Sequence, residues 1–226
     1  MEISTAIEAI IWDLDGTLVD SFDIFMTVLA DAAAQYDIAV PDREMALHNY
    51  HGSLEASVKA VLQLKDGPLL TNILDEFLDI QNEYYESPND HLFADALSLA
   101  VQADRAGLKQ FIITNRFHGQ RGSASPRTIV ADSDLRDIIT DIVCGDETLH
   151  HKPDAAVAWP LFEKYSLDRR SVLVIGDQHV DAELARNLGC QAVIVNRHGL
   201  EAHLDNIPHW QDFATSVASL DSVVLS

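Results

Sequence analysis

Six polar residues with the chemistry of a phosphate or metal site each follow a short apolar run: Asp13 and Asp15, Thr114 and Asn115, Asp177 and Asp181. Open parallel sheets place their sites at the carboxyl ends of strands, so residues far apart in sequence can converge on one edge. Four carboxylates brought together cannot all stay ionised without a cation. A hard divalent ion with oxygen ligands resolves that conflict, and magnesium is the ion that keeps several waters and accepts a substrate phosphate. The Asp-x-Asp pair directly after an apolar strand is the sharpest of these signals. Asp also serves as a turn residue and helix cap, which is the competing account of Asp181.

The elements that must carry these residues follow from the period of the apolar positions. Ala9-Ile-Ile-Trp-Asp-Leu14 reads as a buried strand ending in acids and Gly16. From Ser21 the period becomes helical, with Phe22, Phe25, Met26, Leu29, Ala33 and Tyr36 on one face. Pro41 can open a second helix, Leu54 to Leu62 marks a third and Leu70 to Tyr84 a fourth. No strand is expected between Asp20 and about Pro88, so this block is an inserted helical bundle. Beyond it, helices and strands alternate. A helix is expected over Ala94–Arg105, strands at Phe111–Thr114 and Ile138–Cys144, and a helix over Pro153–Tyr165. A strand at Val172–Ile175, a helix over Val180–Leu188 and a strand at Ala192–Val195 follow, and the tail from Trp210 to Leu225 reads as one more helix and strand. Strand–helix alternation means βαβ units. The fold class is therefore α/β, a Rossmann-like parallel sheet of residues 1–19 and 94–226, with an inserted α-helical cap domain of residues 20–93.

Asp13-Leu-Asp-Gly-Thr-Leu-Val-Asp-Ser21 is similar to the first motif of the haloacid dehalogenase superfamily in its phosphatase form. Thr114-Asn115 resembles the second motif, Lys152-Pro153-Asp154 the third, and Gly176-Asp177-Gln-His-Val-Asp181 the fourth. The resemblance spans essentially the whole chain and lies in the phosphoglycolate phosphatase-like and β-phosphoglucomutase-like branch. It implies that Asp13 is the nucleophile and Asp15 the acid–base residue. It implies Mg²⁺ on the carboxylate of Asp13, the backbone carbonyl of Asp15 and the carboxylate of Asp177, with Asp181 supporting. Thr114 and the backbone of Asn115 would bind the phosphoryl oxygens, and Lys152 would neutralise their charge. Two features depart from the pattern: Ala155 or Ala156 stands where the third motif often has a second proline, and the return at Leu92-Phe-Ala-Asp lacks a Pro-Gly turn.

The implied activity is hydrolysis of a small phosphorylated metabolite. A phosphomutase of the β-phosphoglucomutase type is the alternative, but its cap would carry a histidine soon after the first motif, and Ser21 to Val28 has none. A non-catalytic binding module on the same fold would be expected to have lost a motif residue, yet Asp13, Asp15, Lys152 and Asp177 are all present. Arg116, opening a segment rich in cations, and His51 in the cap are candidates for substrate specificity. With a net charge of −21, the surface repels nucleic acid and anionic membranes. No apolar run approaches the roughly 20 residues that span a bilayer. Cys144 and Cys190, both beside apolar runs and not in a Cys-x-x-Cys pair, read as buried free thiols in a reducing cytoplasm. The assembly is expected to be a monomer or homodimer.

Overall fold

The computed structural model describes residues 7–50, 54–81, 84, 88–119 and 125–195, with the backbone of 210–213. The chain divides into two compact units, one built on the sheet and one made of helices within Ser21–Ser87.

The sheet unit has six parallel strands: β1 (Ala9–Trp12), β2 (Lys109–Ile113), β3 (Asp141–Val143), β4 (Val172–Gly176), β5 (Gln191–Val195) and β6 (Trp210–Phe213). Their order is β3-β2-β1-β4-β5-β6. The chain therefore builds outward from β1 in one direction, then returns to β4 and builds the other way. The β1/β4 boundary is the switch point at which such sheets open a crevice. Every residue of β1 and β4 is buried. Both faces are covered, which is why these strands read as unbroken apolar runs instead of alternating ones.

Alternate residues of the central strands face two different layers. Ile11, Phe111, Ile113 and Val174 pack with Leu161, Phe162, Leu184 and Leu188, which come from α7 (Trp159–Tyr165) and α8 (His179–Leu188). On the other face Trp12 Nε1 donates to Gln110 Oε1 at 3.0 Å, and Gln110 Nε2 donates to the carbonyl of Ala100 at 2.8 Å. Ala100 lies on α5 (Ala94–Arg105). A buried glutamine is tolerated because its amide is satisfied.

In the helical unit, α1 (Ser21–Ala34) buries Phe22, Phe25, Val28 and Leu29. Phe25 meets Tyr50 with ring centroids 4.8 Å apart and Phe77 at 5.7 Å. Phe77 belongs to α4 (Pro68–Ile80), opened by its proline. Between them, α2 (Arg43–Asn49) starts after Asp42, whose carboxylate accepts from Met45 N at 2.9 Å, and α3 (Leu54–Val61) follows. Pro41 thus precedes the cap and is not the first helical residue. The described residues of this unit contain no strand.

The chain segments that leave and re-enter the sheet unit are tied together. Val19 and Leu92 form an antiparallel bridge, Asp20 N donates to His91 O at 2.8 Å, and Phe93 N donates to Leu18 O at 2.9 Å. A return without Pro-Gly is secured by these backbone bonds.

Three expected elements differ. The helix expected over Pro153–Tyr165 is a 3₁₀ turn at Ala155–Val157 followed by α7. Pro160, which has no N–H to donate back along the chain, stands in the first turn of α7, so the helix restarts there. The strand expected from Ile138 begins at Asp141, because Ile138 and Ile139 donate back to Leu135 O in a turn. In the tail, Trp210 opens a strand where a helix is expected, and the rest of that expectation lies outside the described residues. Between β2 and β3 the chain forms the short helix α6 (Pro126–Ala131), opened by its proline.

Candidate active site

Asp13 directly follows β1, and its backbone N–H still belongs to the sheet, donating to Ile175 O of β4 at 2.8 Å. The carboxylate is buried, and its Oδ1 accepts from Leu14 N at 2.7 Å. The same oxygen accepts from Lys152 Nζ at 2.6 Å, and Lys152 also donates to Asp181 Oδ1 at 2.7 Å. Lys152 is 6 % exposed and Asp181 1 %. This excludes a surface lysine and an ordinary capping aspartate. Asp181 does serve the start of α8, where its Oδ2 accepts from Gln178 N at 3.1 Å. One carboxylate thus fixes the helix start and grips the buried cation.

Asp177 follows β4 and completes the group. Asp13, Asp177 and Asp181 present carboxylate oxygens within 4.8 Å of one another. Two glycines make this approach possible. Gly16 has φ +78°, and a Cβ there would sit 2.3 Å from Asp177 Oδ2. A Cβ on Gly176 would sit 2.2 Å from Asp181 Cγ. Any side chain at either position displaces an acid of the site. Thr17, wholly buried, donates to Asp177 Oδ1 at 3.5 Å. This threonine was not among the sequence candidates, although it stands inside the first motif.

The carboxylate of Asp15 lies outside that group. Arg116 Nε donates to its Oδ2 at 3.0 Å, and Arg116 NH2 donates to its Oδ1. Arg116, expected as a specificity residue, is therefore brought to the active edge as the partner of Asp15. Thr114 is buried at the end of β2, and its hydroxyl accepts from Arg116 N at 3.0 Å. Asn115 has a use that sequence reading missed. Its side-chain amide clasps the backbone of Lys152, donating from Nδ2 to Lys152 O at 3.2 Å and accepting from Lys152 N at 2.9 Å. His51 lies outside the described residues.

The electrostatics of the group follow from its charge count. Three carboxylates and one ammonium leave two formal negative charges in a buried place. Burial pushes Asp13 up to about 7; Lys152 opposes the rise, and Asp181 and Asp15 add to it. Burial likewise lifts Asp177 well above the carboxylate range, reinforced by Asp13 and Asp181. Burial works against the charge of Lys152, but Asp13 and Asp181 outweigh it and hold the ammonium above the ordinary lysine range. Among the described residues no lysine or arginine forms an ion pair with Asp177. The donors are all hard oxygens and the deficit is two charges, so the residues fit a magnesium ion.

A family model described as haloacid dehalogenase-like hydrolase matches residues 10–195, covering every residue of this group. The chain belongs to that family. Its relatives include the N-acetylmuramic acid 6-phosphate phosphatase of Pseudomonas aeruginosa, 28% identical over 214 residues, with 90% of this chain and 88% of the relative covered. The phosphoglycolate phosphatase of Vibrio cholerae is 28% identical over 194 residues, with 82% of each covered. The crystal structure of a predicted phosphoglycolate phosphatase from Haemophilus somnus superposes with a TM-score of 0.73 at 18% identity, covering 97% of this chain and 99% of that one. That likeness establishes a shared fold. As a member of this family with phosphatase relatives, the chain is an enzyme of the phosphoric monoester hydrolase class. Among the described residues no helix is long and apolar enough to cross a membrane. Cys144 and Cys190 are buried and free.

Proposed function

We propose that the protein is a magnesium-dependent phosphatase that hydrolyses a small phosphorylated metabolite through a phospho-aspartate on Asp13. The observation that carries this reading is the buried Lys152 ammonium bridging Asp13 and Asp181 beside Asp177. It is a site built to gather negative charge around a nucleophile. Magnesium would be held by the Asp13 carboxylate, the Asp15 carbonyl and Asp177, with Asp181 beside it, and would supply the charge neutralisation that lets a carboxylate approach an anionic phosphate.

In the first half-reaction a carboxylate oxygen of Asp13 attacks phosphorus, and the bond from phosphorus to the ester oxygen breaks. Asp15 gives that oxygen its proton, so the alcohol leaves neutral. In the second, Asp15 takes a proton from water as the water oxygen attacks phosphorus. The bond to Asp13 breaks, which releases phosphate and restores both carboxyl groups. Thr114, the backbone of Asn115 and Lys152 hold the phosphoryl oxygens; the Asn115 amide fixes the backbone from which Lys152 extends, and Asp13 and Asp181 hold its ammonium. Phosphoryl transfer requires this kind of positioning and charge stabilisation above all.

Both named relatives act on phosphate esters whose names specify an organic acid, glycolate or muramic acid. We therefore place the substrate among phosphorylated small acids and sugars; a cytoplasmic monomer or homodimer is part of the same proposal. Turnover of para-nitrophenyl phosphate with and without Mg²⁺, followed by a screen of phosphorylated hydroxy acids and sugars, tests the reading. Hydrolysis that survives exhaustive chelation overturns it.

A further inference from the structure

We infer that Arg116 is a positioning residue for Asp15: its guanidinium fork fixes the plane of the carboxylate that exchanges the proton. The inference rests on the assignment of Asp15 as the acid–base residue.

The geometry is that of a two-point grip. Arg116 Nε meets Oδ2 at 3.0 Å while NH2 meets Oδ1, so both oxygens are engaged by one planar group. Such a fork sets orientation as well as proximity. The arginine itself is held. Its backbone N–H donates to Thr114 Oγ at 3.0 Å, and its carbonyl accepts from Gly145 N at 2.9 Å. Its side chain is 11 % exposed, against 28 % for Asp15. The anchor is thus more enclosed than the group it holds, and the carboxylate keeps its access to water and substrate.

The arrangement leaves Asp15 able to act. A carboxylate has about four lone-pair sites on its two oxygens, and the fork uses one on each. The remaining sites lie in a plane that the fork prevents from turning. Asp15 serves twice, at a leaving oxygen and then at a water. Both transfers need the same plane, and misplacement by about 1 Å is worth about 10²-fold in rate. Arg116 also stands beside Thr114 and Asn115, so the opposing account is that it binds the substrate phosphate directly.

A double-mutant cycle separates the accounts. Kinetics are measured on an alkyl phosphate and on para-nitrophenyl phosphate for Arg116→Gln, Arg116→Lys, Asp15→Asn and the double variant Asp15→Asn/Arg116→Gln. Thermal melting confirms that each is folded, and Arg116→Lys, which keeps the charge, stands in if the glutamine variant does not fold. Positioning through Asp15 predicts that Arg116→Gln lowers kcat on the alkyl ester about 10- to 100-fold, with KM changed less than about threefold and a smaller loss on the aryl ester. Arg116→Lys restores only part of the loss, since a single-point donor cannot fix a plane. In the Asp15→Asn background the second substitution costs nothing further, the mark of a residue that acts through another. A rise in KM with additive losses shows phosphate binding and overturns the inference, as does unchanged kcat in both Arg116 variants. If Asp15→Asn itself leaves the alkyl ester unimpaired, the assignment of Asp15 has failed instead.

Discussion

Lys152 and Asp13, 139 residues apart in sequence, meet at 2.6 Å with both side chains almost wholly buried. A buried ion pair is weak support for stability as a whole, but removing one partner strands the other charge. Lys152→Met should therefore lower metal-free stability by about 3–5 kcal/mol, the usual consequence of an uncompensated buried charge. It should also abolish turnover at every Mg²⁺ concentration. Urea unfolding with chelator and phosphatase assay check the two halves. A variant as stable as the parent contradicts the enclosed geometry.

Gly16 predicts a different failure. With φ +78° and a Cβ position 2.3 Å from Asp177 Oδ2, Gly16→Ala must either twist the backbone or push the acid aside. We expect a stability loss of about 1–3 kcal/mol. The Mg²⁺ concentration for half-maximal rate should rise about 10-fold or more, as when a ligand loses its support. Unchanged magnesium dependence would show that Asp177 is not held by this close approach.

The raised acids give a pH dependence whose sign can be worked out. Asp13 is pushed up to about 7 and Asp177 well above its ordinary range, so the folded, metal-free protein binds more protons than the unfolded chain. Its stability therefore falls as pH rises from about 4, the unfolded carboxylate range, through about 7. A divalent cation at this site would bind the ionised form and displace those protons. The rise in melting temperature produced by Mg²⁺ should thus be larger at pH 8 than at pH 6. A rise that is equal at both, or larger at pH 6, contradicts the prediction.

Much of the site is legible in the sequence where a residue directly follows a doubly buried strand. The run Ala9–Trp12 announces β1, and Asp13 can only emerge at its end. The same holds for Asp177 after β4. What escapes the sequence is pairing at long range. Nothing in Thr114-Asn115-Arg116 reveals that the Asn115 amide closes on a backbone 37 residues away, or that Arg116 reaches Asp15 across 101. A basic residue near a phosphate site reads as a phosphate binder until its partner is seen. Local chemistry also misled where it was read too smoothly. Pro160 sits inside an apolar period that spans Pro153–Tyr165, and its missing N–H divides one expected helix into two pieces.

The two aspartates of the first motif can be told apart by leaving group. Asp15→Asn should cost about 10²–10⁴-fold in turnover, the usual worth of a positioned acid–base group. In the first step, read as the rate of the first alcohol released before any turnover, the loss should be greater on an alkyl ester than on para-nitrophenyl phosphate, whose leaving group needs little protonation. Equal slowing of that first step on both esters would remove Asp15 from the acid role.

The central claim is covalent transfer to Asp13, and the direct test is to trap the adduct. In Asp15→Asn the first step persists on para-nitrophenyl phosphate while the second lacks its base, so phosphorylated enzyme accumulates. Acid quench, digestion and mass spectrometry should find one added phosphoryl group on the peptide carrying Asp13, and none when Asp13→Asn is combined with it. Turnover by Asp13→Asn, or an Asp15→Asn enzyme that hydrolyses the aryl ester without ever showing that adduct, would contradict the account.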